Sequence, residues 1–299
     1  MVFLFTAVTS PFVVLFGPFN NVKRAVIGAI LQSRHPQYIT WLFSNDELQS
    51  ILGTVGVVKS QDLFKFNARE DKDLKLEKIE SSRYVGYVLE IPDPRRIQVA
   101  TAANIQEKGD TTSNIAKMNG AVAAINGGGF HDPNGTGTGR LPYGFILHEG
   151  DYIIGKDVGP DESVDFVGFS KSGNLIAGNY DKTELADMKA MEGITFGPPL
   201  IVDGKKMITD GDGGWGVGPR TAIGQRKDGT VLFVVIDGRQ PGYSLGATLR
   251  DVQDVLYEKG AYIAANLDGG SSSTLYLNGK VVNKPADLLG ERMIPTAFT

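Results

Sequence analysis

The chain has no cysteine among its 299 residues. Disulfides, thiolate catalysis and cysteine-ligated zinc are therefore excluded. Histidine is almost as scarce. His35, His131 and His148 are the only three, and no His-x-x-x-His spacing occurs, which argues against a zinc hydrolase. There is no Gly-x4-Gly-Lys-Ser/Thr phosphate loop and no Gly-x-Gly-x-x-Gly after a strand. Charge of one sign is missing too: 30 basic against 34 acidic residues give a net charge of −4, so no basic field for nucleic acid exists. Internal repeats and low-complexity tracts are absent. The length suits one large domain or two small ones, and a hydrophobic share of 41% is that of an ordinary globular protein.

A long uninterrupted apolar run is also lacking. Residues 2–19 carry only Thr6, Thr9 and Ser10 as polar side chains, but Pro11 and Pro18 are expected to interrupt any helix. The longest proline-free piece is shorter than the roughly 20 residues that span a bilayer. No basic stretch precedes it, and no small-x-small cleavage site follows. Residues 1–43 read as a membrane anchor, the remaining part of one, or a membrane-associated segment. The alternative is an apolar element packed on the domain. Residues 23–43 would lie at the interface or form a second membrane-associated helix. Ser44 with Glu47 makes a capping box for a short helix to Leu52. The mixed-charge run 69–80 reads as an exposed connector or solvated helix. The expected division is thus 1–43, a helix and connector at 44–82, and a catalytic domain at 83–299.

What the chain does have is glycine, 38 residues clustered at 127–150 and 204–224, where apolar strands bracket long loops. Strands are expected at 84–91, 97–101, 121–125, 145–148, 152–154, 164–169, 175–177, 194–202 and 230–236. Helices are expected at 111–119, 183–191 and, most clearly, 245–259. There Leu249, Val252, Val255 and Leu256 share one face, Ser244 or Thr248 caps the start and Gly260 ends the helix. Many strands, few helices and no βαβ alternation give an α+β class: a mixed, strand-rich single catalytic domain preceded by the apolar amino-terminal segment.

Three glycine turns end apolar strands with chemistry-bearing residues. Ala261 to Ala265 lead into Asn266-Leu267-Asp268-Gly269-Gly270-Ser271-Ser272-Ser273-Thr274. Ala124-Ile125 lead into Asn126-Gly127-Gly128-Gly129, and Val234-Val235-Ile236 into Asp237-Gly238-Arg239. Gly218-Pro219-Arg220-Thr221-Ala222 lies between the last two. An acid in such a turn is either functional or part of an ordinary Asp-Gly hairpin. The four motifs in chain order, beginning at Asn126, Gly218, Asp237 and Asn266 and lying within about residues 84–297, resemble the phosphodiester glycosidase family, whose members include the enzyme that removes N-acetylglucosamine from a sugar-1-phosphodiester. One departure is that Ser271 stands where the family usually has a third glycine.

The resemblance implies that these segments form the active site. Cleavage of a glycosyl phosphodiester passes through an oxocarbenium-like transition state with a phosphomonoester leaving, so a carboxylate, cationic donors and neutral hydrogen-bonders are needed. Asp268 is the expected catalytic carboxylate and Asp237 the second acid. Arg220 and Arg239 are candidates for the phosphate, or for a structural pair with Asp237. Ser271, Ser272 and the amides of Gly269 and Gly270 would make an anion nest. Thr221 falls within the same site. Asn126 and Asn266 suit hydroxyl or acetamido recognition, although Asn before glycine also serves turns alone.

Asp210-Gly211-Asp212-Gly213-Gly214 resembles a calcium loop without its full spacing, which leaves a divalent cation (calcium or magnesium) open. A mobile lid around Trp215, its indole stacking on a sugar, is the alternative. His131-Asp132 follows the first glycine turn closely and is a candidate for contact with the site. Asn134-Gly135-Thr136 matches a glycosylation sequon. The expected partner is a glycan or glycosyl-phosphodiester of the cell wall or exopolysaccharide. The expected place is the extracellular face of a bacterial cell, held by the amino terminus. Competing readings are a metal-dependent phosphodiesterase that cuts the P–O bond and a glycan-binding module without catalysis.

Overall fold

The computed structural model describes residues 2–31, 37–52, 58–60, 63–66, 73–132, 137–155 and 158–299. The sequon at 134–136 and residues 69–72 of the charged run lie outside them. Three antiparallel sheets carry the architecture. The largest has the order β1 (Lys75–Glu80), β2 (Val85–Ile91), β13 (Val231–Ile236), β12 (Arg220–Arg226), β14 (Ala261–Leu267), β10 (Pro199–Val202) and β11 (Lys205–Lys206). The second runs β16 (Lys280–Val281), β15 (Leu275–Leu277), β4 (Ala123–Asn126), β17 (Thr296–Phe298) and β3 (Val99–Thr101). The third runs β6 (Asp151–Ile154), β5 (Ile146–His148), β9 (Ala190–Thr195), β7 (Val164–Ser170) and β8 (Leu175–Tyr180).

The period-2 geometry of a strand explains the layers. In β13, Val231, Phe233 and Val235 point to one face and join Ile223, Ile263 and Leu267 in a core shared with Ile125 and Phe298 of the second sheet and Val167 and Ile194 of the third. The alternate residues Leu232, Val234 and Ile236 join Ala222 and Ala264 on the opposite face. There helix α7 (Leu249–Glu258) covers the sheet with Leu249, Val252 and Leu256, each fully buried. Thr248, not Ser244, caps α7, in a capping box with Asp251. Two shorter helices, α5 (Thr112–Met118) and α6 (Lys182–Asp187), are capped by Thr111 and Asp181. The α+β class is what the chain adopts.

Several expectations are corrected. Lys75–Glu80 is not a connector or helix but an edge strand, paired with β2 from Lys75↔Glu90 to Glu80↔Val85. Most of its side chains face solvent, and charge on an exposed edge deters pairing with other chains. The helix expected at 183–191 stops early because Lys189 adopts φ 54°, which turns the chain into β9. The strand expected at 194–202 is two strands, split around Gly197-Pro198. Arg220–Arg226, read only as a motif, is a central strand of the largest sheet.

At the amino terminus, α1 (Val2–Phe16) runs through Pro11 instead of ending there. Proline's fixed φ fits a helix, and one backbone bond is what it forfeits. Helix α2 (Asn20–Leu31), the short α3 (Gln37–Thr40) and α4 (Asn45–Leu52) follow. The Ser44–Glu47 box forms, with Ser44 N donating to Glu47 Oε2 at 2.8 Å. Among the described residues no helix is long and apolar enough to cross a membrane. Nor does α2 lie free at an interface: its Ile27 is buried with Ile39 and Leu48, and Gly28 abuts the loop 210–216.

Leu256 seals α7 onto the sheet, its Cδ2 2.8 Å from where a Cβ on Gly224 would stand. Leu256→Ala is expected to lower unfolding free energy by about 2–5 kcal/mol in urea titration. A loss under about 1 kcal/mol would mean that α7 is not part of the main core.

Candidate active site

Three of the four motifs meet at one buried amide. Asn126 ends β4, has no solvent exposure, and uses both ends of its side chain. Its Nδ2 donates to the Asp268 carbonyl at 2.6 Å, and its Oδ1 accepts from Thr221 Oγ1 at 2.7 Å and from Thr274 N at 3.1 Å. Asp268 N in turn donates to Gly127 O at 3.0 Å. One side chain therefore ties the first glycine turn, the Arg220 strand and both ends of the Asp268 turn. Thr221 is its fully buried partner. Asn126 and Thr221 thus build the site's frame, with no group turned outward to a sugar.

Two guanidiniums lie against the Asp268 turn. A Cβ on Gly269 would come 3.5 Å from Arg220 Nη1, and one on Gly270 would come 3.3 Å from both Nη atoms of Arg239. Gly270 also needs φ +64°, a value that side chains resist. Ser271 has no such need, since it is not among the positive-φ residues, so serine replaces the family's glycine there without strain. Arg220 does not offer an open fork. It is 4% exposed, its Nε donates to Ala247 O, and its Nη2 donates to Trp215 O and Gly216 O at 2.8 and 2.6 Å. Burial, then the neighbouring Arg239 charge, pull its pKa down to about 10. Arg239 is exposed and adopts φ 58°.

The expected anion nest forms only in part. Gly270 N donates to Pro219 O and Ser272 N to Gly269 O, so those two amides are engaged within the protein. Asn266, fully buried, donates from Nδ2 to Gly197 O, and its Oδ1 is left without a partner. Ser272 Oγ, Ser273 Oγ and Thr274 Oγ1 are likewise buried and unpartnered. Four polar atoms within residues 266–274 keep unsatisfied hydrogen-bonding capacity where a typical fold leaves few, and one of them, Ser272 Oγ, lies beside the Asp268 carboxyl.

Burial pushes the Asp268 pKa up to about 6 from 3.8. The Ser272 hydroxyl beside it, outside good hydrogen-bond geometry, opposes the shift, as do Arg292, the Gly269 amide and Arg239. Asp237 has a different setting. It is 1% exposed, and its carboxylate accepts from Asn283 Nδ2, Lys284 N and Tyr243 Oη at 2.9, 2.9 and 3.0 Å. Burial raises its pKa and these three donors restrain it. Asp237 thus pins residues 243 and 283–284 to the end of β13, with both carboxylate oxygens engaged.

The sequence reading missed much of the rim. Arg292 donates from Nη2 to Asp132 Oδ2 at 2.7 Å, lies 4.8 Å over the Phe130 ring, and has a buried Nε without a partner. Tyr143 stacks edge-on against His131 at 4.5 Å, and its pKa is raised by burial and then by the Asp268 charge. Phe196 and Tyr143 both crowd Gly129, and Phe196 meets Trp215 edge-on at 6.1 Å. Arg292, Tyr143 and Phe196 sit in none of the four motifs, so no local signal marked them, whereas Trp215 stands in the glycine-rich loop that the sequence singled out. His131-Asp132, flagged only by its closeness to the first turn, does reach the rim.

The acids of the calcium-like loop are partly engaged within the protein, with Asp212 Oδ2 buried and unpartnered. Asp210 pairs with Arg24 at 3.6 Å, and Asp212 Oδ1 accepts from Gly214 N. Among the described residues no group of three or more His, Asp or Glu side chains is placed to hold an ion. A cavity of about 670 Å³ beside Asp151, Tyr152, Ile153 and Lys182 contains none of the motif residues, and the Lys182 amine is engaged by the carbonyls of Gly155 and Val158.

The sequence pattern of the phosphodiester glycosidases matches residues 119–299, more than half of the chain and all four motifs. The chain belongs to the phosphodiester glycosidase family. Two relatives are the SPbeta prophage-derived uncharacterized protein YomE of Bacillus subtilis, 31% identical over 194 residues, and the N-acetylglucosamine-1-phosphodiester alpha-N-acetylglucosaminidase of Bos taurus, 25% identical over 203. These alignments cover 62% and 61% of this chain but 29% and 36% of those proteins. The chain thus spans about a third of the length of these curated relatives. The catalytic domain of the zebrafish N-acetylglucosamine-1-phosphodiester alpha-N-acetylglucosaminidase, auto-inhibited by its pro-peptide, superposes with a TM-score of 0.64 at 21% identity. That match covers 86% of this chain and 92% of that one, and shows that the phosphodiester glycosidase fold is shared.

The Asp268 shift fixes a sign for stability. Between about pH 4 and pH 6 the native carboxyl keeps a proton that the unfolded chain has lost, so stability declines as pH rises through that window and stays lowered above it. Asp268→Asn should raise the melting temperature at pH 7.5, with a smaller gain at pH 4.5. An equal gain at both values would mean that the carboxyl is not shifted upward.

Proposed function

We propose that this phosphodiester glycosidase hydrolyses the glycosidic bond of a sugar-1-phosphodiester, with Asp268 as the carboxylate at the anomeric carbon. The observation that carries the proposal is the setting of Asp268: a carboxyl with a raised pKa, under the charges of Arg292 and Arg239, beside the Ser272 hydroxyl, in a stretch of chain whose Asn266, Ser272, Ser273 and Thr274 keep unpartnered buried atoms. The guanidiniums suit the single negative charge of the phosphodiester and the growing charge on the leaving monoester. Phosphate leaves readily, so little general-acid help is required, which fits a site whose other acid, Asp237, is locked into the frame. Tyr143, Phe196 and Trp215 offer aromatic faces to a sugar. The name of the bovine relative supports N-acetylglucosamine as the sugar; a cell-wall or exopolysaccharide glycan is its proposed carrier.

The reaction needs Asp268 ionised as nucleophile or base. With N-acetylglucosamine-1-phosphomethyl as substrate, mass spectrometry should show free sugar and phosphomonoester, and Asp268→Ala should slow turnover on the order of a thousandfold or more. The acidic limb of kcat/KM should fall away below about pH 6. Release of sugar-1-phosphate, or a rate abolished by EDTA, would favour the metal-dependent phosphodiesterase. Binding without turnover would favour the glycan-binding module.

The amino-terminal unit supports a place at a membrane surface. Residues 2–22 bear no charge, and Phe12, Val13, Phe16, Phe19, Tyr38 and Trp41 are all exposed, Trp41 at 85%. Phe12 and Phe16 stack in a row with the half-buried Phe43 at 6.2 and 5.6 Å, so part of this apolar surface is continuous. With no helix among the described residues long and apolar enough to span, in-plane docking on the outer face of a bacterial membrane fits best. The full chain should float with phosphatidylglycerol vesicles, and Phe12→Ser with Phe16→Ser should leave it in the soluble fraction. Wild-type protein that stays soluble would contradict the location.

A further inference from the structure

The helix α2 and the loop 210–216 touch backbone to backbone, and that contact leads to the substrate face of the site. A Cβ on Gly28 would stand 2.4 Å from Gly214 O and 2.8 Å from Gly216 N. Seen from the other side, a Cβ on Gly216 would stand 2.4 Å from Ala25 O and 2.7 Å from Ala29 N. Only a glycine on each side lets helix and loop approach so closely. From α4, Leu52 Cβ closes over Gly214 at 3.2 Å from its Cβ position. Arg24 completes the seam: its Nε donates to Ile51 O at 2.6 Å, and its Nη1 faces Asp210 at 3.6 Å and the Cβ position of Gly211 at 2.7 Å.

The loop has few means of ordering itself. Gly211, Gly213, Gly214 and Gly216 all have positive φ, so fixing them costs more conformational entropy than fixing other residues. Its internal tie is the Asp212–Gly214 turn, and Arg250 of α7 holds it from outside, with its N donating to Asp212 O and its Nη1 to Gly211 O. Yet the loop carries two things the site needs. Trp215 O and Gly216 O hold the Arg220 guanidinium that lies against Gly269 of the Asp268 turn, and the Trp215 ring meets Phe196, which abuts Gly129. The sequence match to the family begins at residue 119, so α2 and α4 lie outside it while the loop lies within it.

We propose that Gly28 and Arg24 are positioning residues for the sugar subsite: the amino-terminal helices hold the loop 210–216 so that Trp215 and Arg220 are set before substrate arrives. The proposal rests on the reading of Asp268 as the catalytic centre. It makes the amino-terminal unit part of the substrate site, so the element that faces the membrane also tunes affinity.

The test uses the full chain carrying Gly28→Val, the milder Arg24→Ala, or Val22→Ala on the exposed side of α2 as control. Two readouts are taken, hydrogen exchange of the amides at 210–216 and the KM and kcat for N-acetylglucosamine-1-phosphomethyl. We expect Gly28→Val and Arg24→Ala to speed exchange in the loop about tenfold or more and to raise KM about tenfold with kcat within about twofold, while Val22→Ala changes neither. Loop exchange and KM both unchanged in Gly28→Val and Arg24→Ala would overturn the proposal, because the helices would then be mere cover. A higher kcat/KM would overturn it too, because the helices would then obstruct the site. If wild type does not turn over the substrate, the functional reading fails by itself, and loop exchange still decides whether the helices order the loop.

Discussion

Everything at this site hangs on the side chain of Asn126. An amide has one acceptor oxygen and a two-proton donor, and here both ends are engaged in a fully buried setting by Asp268 O, Thr221 Oγ1 and Thr274 N. Buried amides of this kind cost little while satisfied and a great deal once a partner is lost. Three segments far apart in sequence are therefore fixed relative to one another by a single group of known shape. Where the chain places Asp268 follows from that knot, and not from the Asp-Gly turn alone.

With the carboxyl fixed, its surroundings decide its chemistry. Burial alone would hold Asp268 neutral, but the guanidiniums of Arg292 and Arg239 work in the opposite direction. The balance leaves a group that changes charge near neutral pH, a useful property in a carboxylate that must ionise to act. The two motif arginines divide their labour: Arg220 is a buried brace that reads backbone carbonyls, and Arg239 is an exposed arm across the Gly270 turn. The two motif acids divide in the same way. Asp237 anchors with every oxygen in use, and Asp268 keeps its charge for the site.

The four glycine motifs, and so the frame of the site, were legible in the sequence because tight turns demand glycine and strands demand apolar runs. Helix α7 was legible because Leu249, Val252 and Leu256 repeat at a helical period. The roles inside the frame were less legible. Asn126 reads as a sugar binder or a turn residue, and only its partners at Thr221 and Thr274, 95 and 148 positions away, show it as a tie. Arg292, Tyr143 and Phe196 come to the rim through long-range packing that leaves no local pattern. Lys75–Glu80 misled for a related reason: its charges suit a solvated helix, but its partner β2 decides the matter. Tertiary pairing overrides local preference at an edge strand.

The central claim is that Asp268 faces the anomeric carbon of a bound phosphodiester. A crystal structure of Asp268→Asn with intact N-acetylglucosamine-1-phosphomethyl tests it most directly. The account predicts the phosphate between Arg239 and Arg292, the sugar against Tyr143, Phe196 and Trp215, and the substituted amide at position 268 within contact of the anomeric carbon. A sugar seated elsewhere, or a phosphorus atom rather than the anomeric carbon facing position 268, would contradict it.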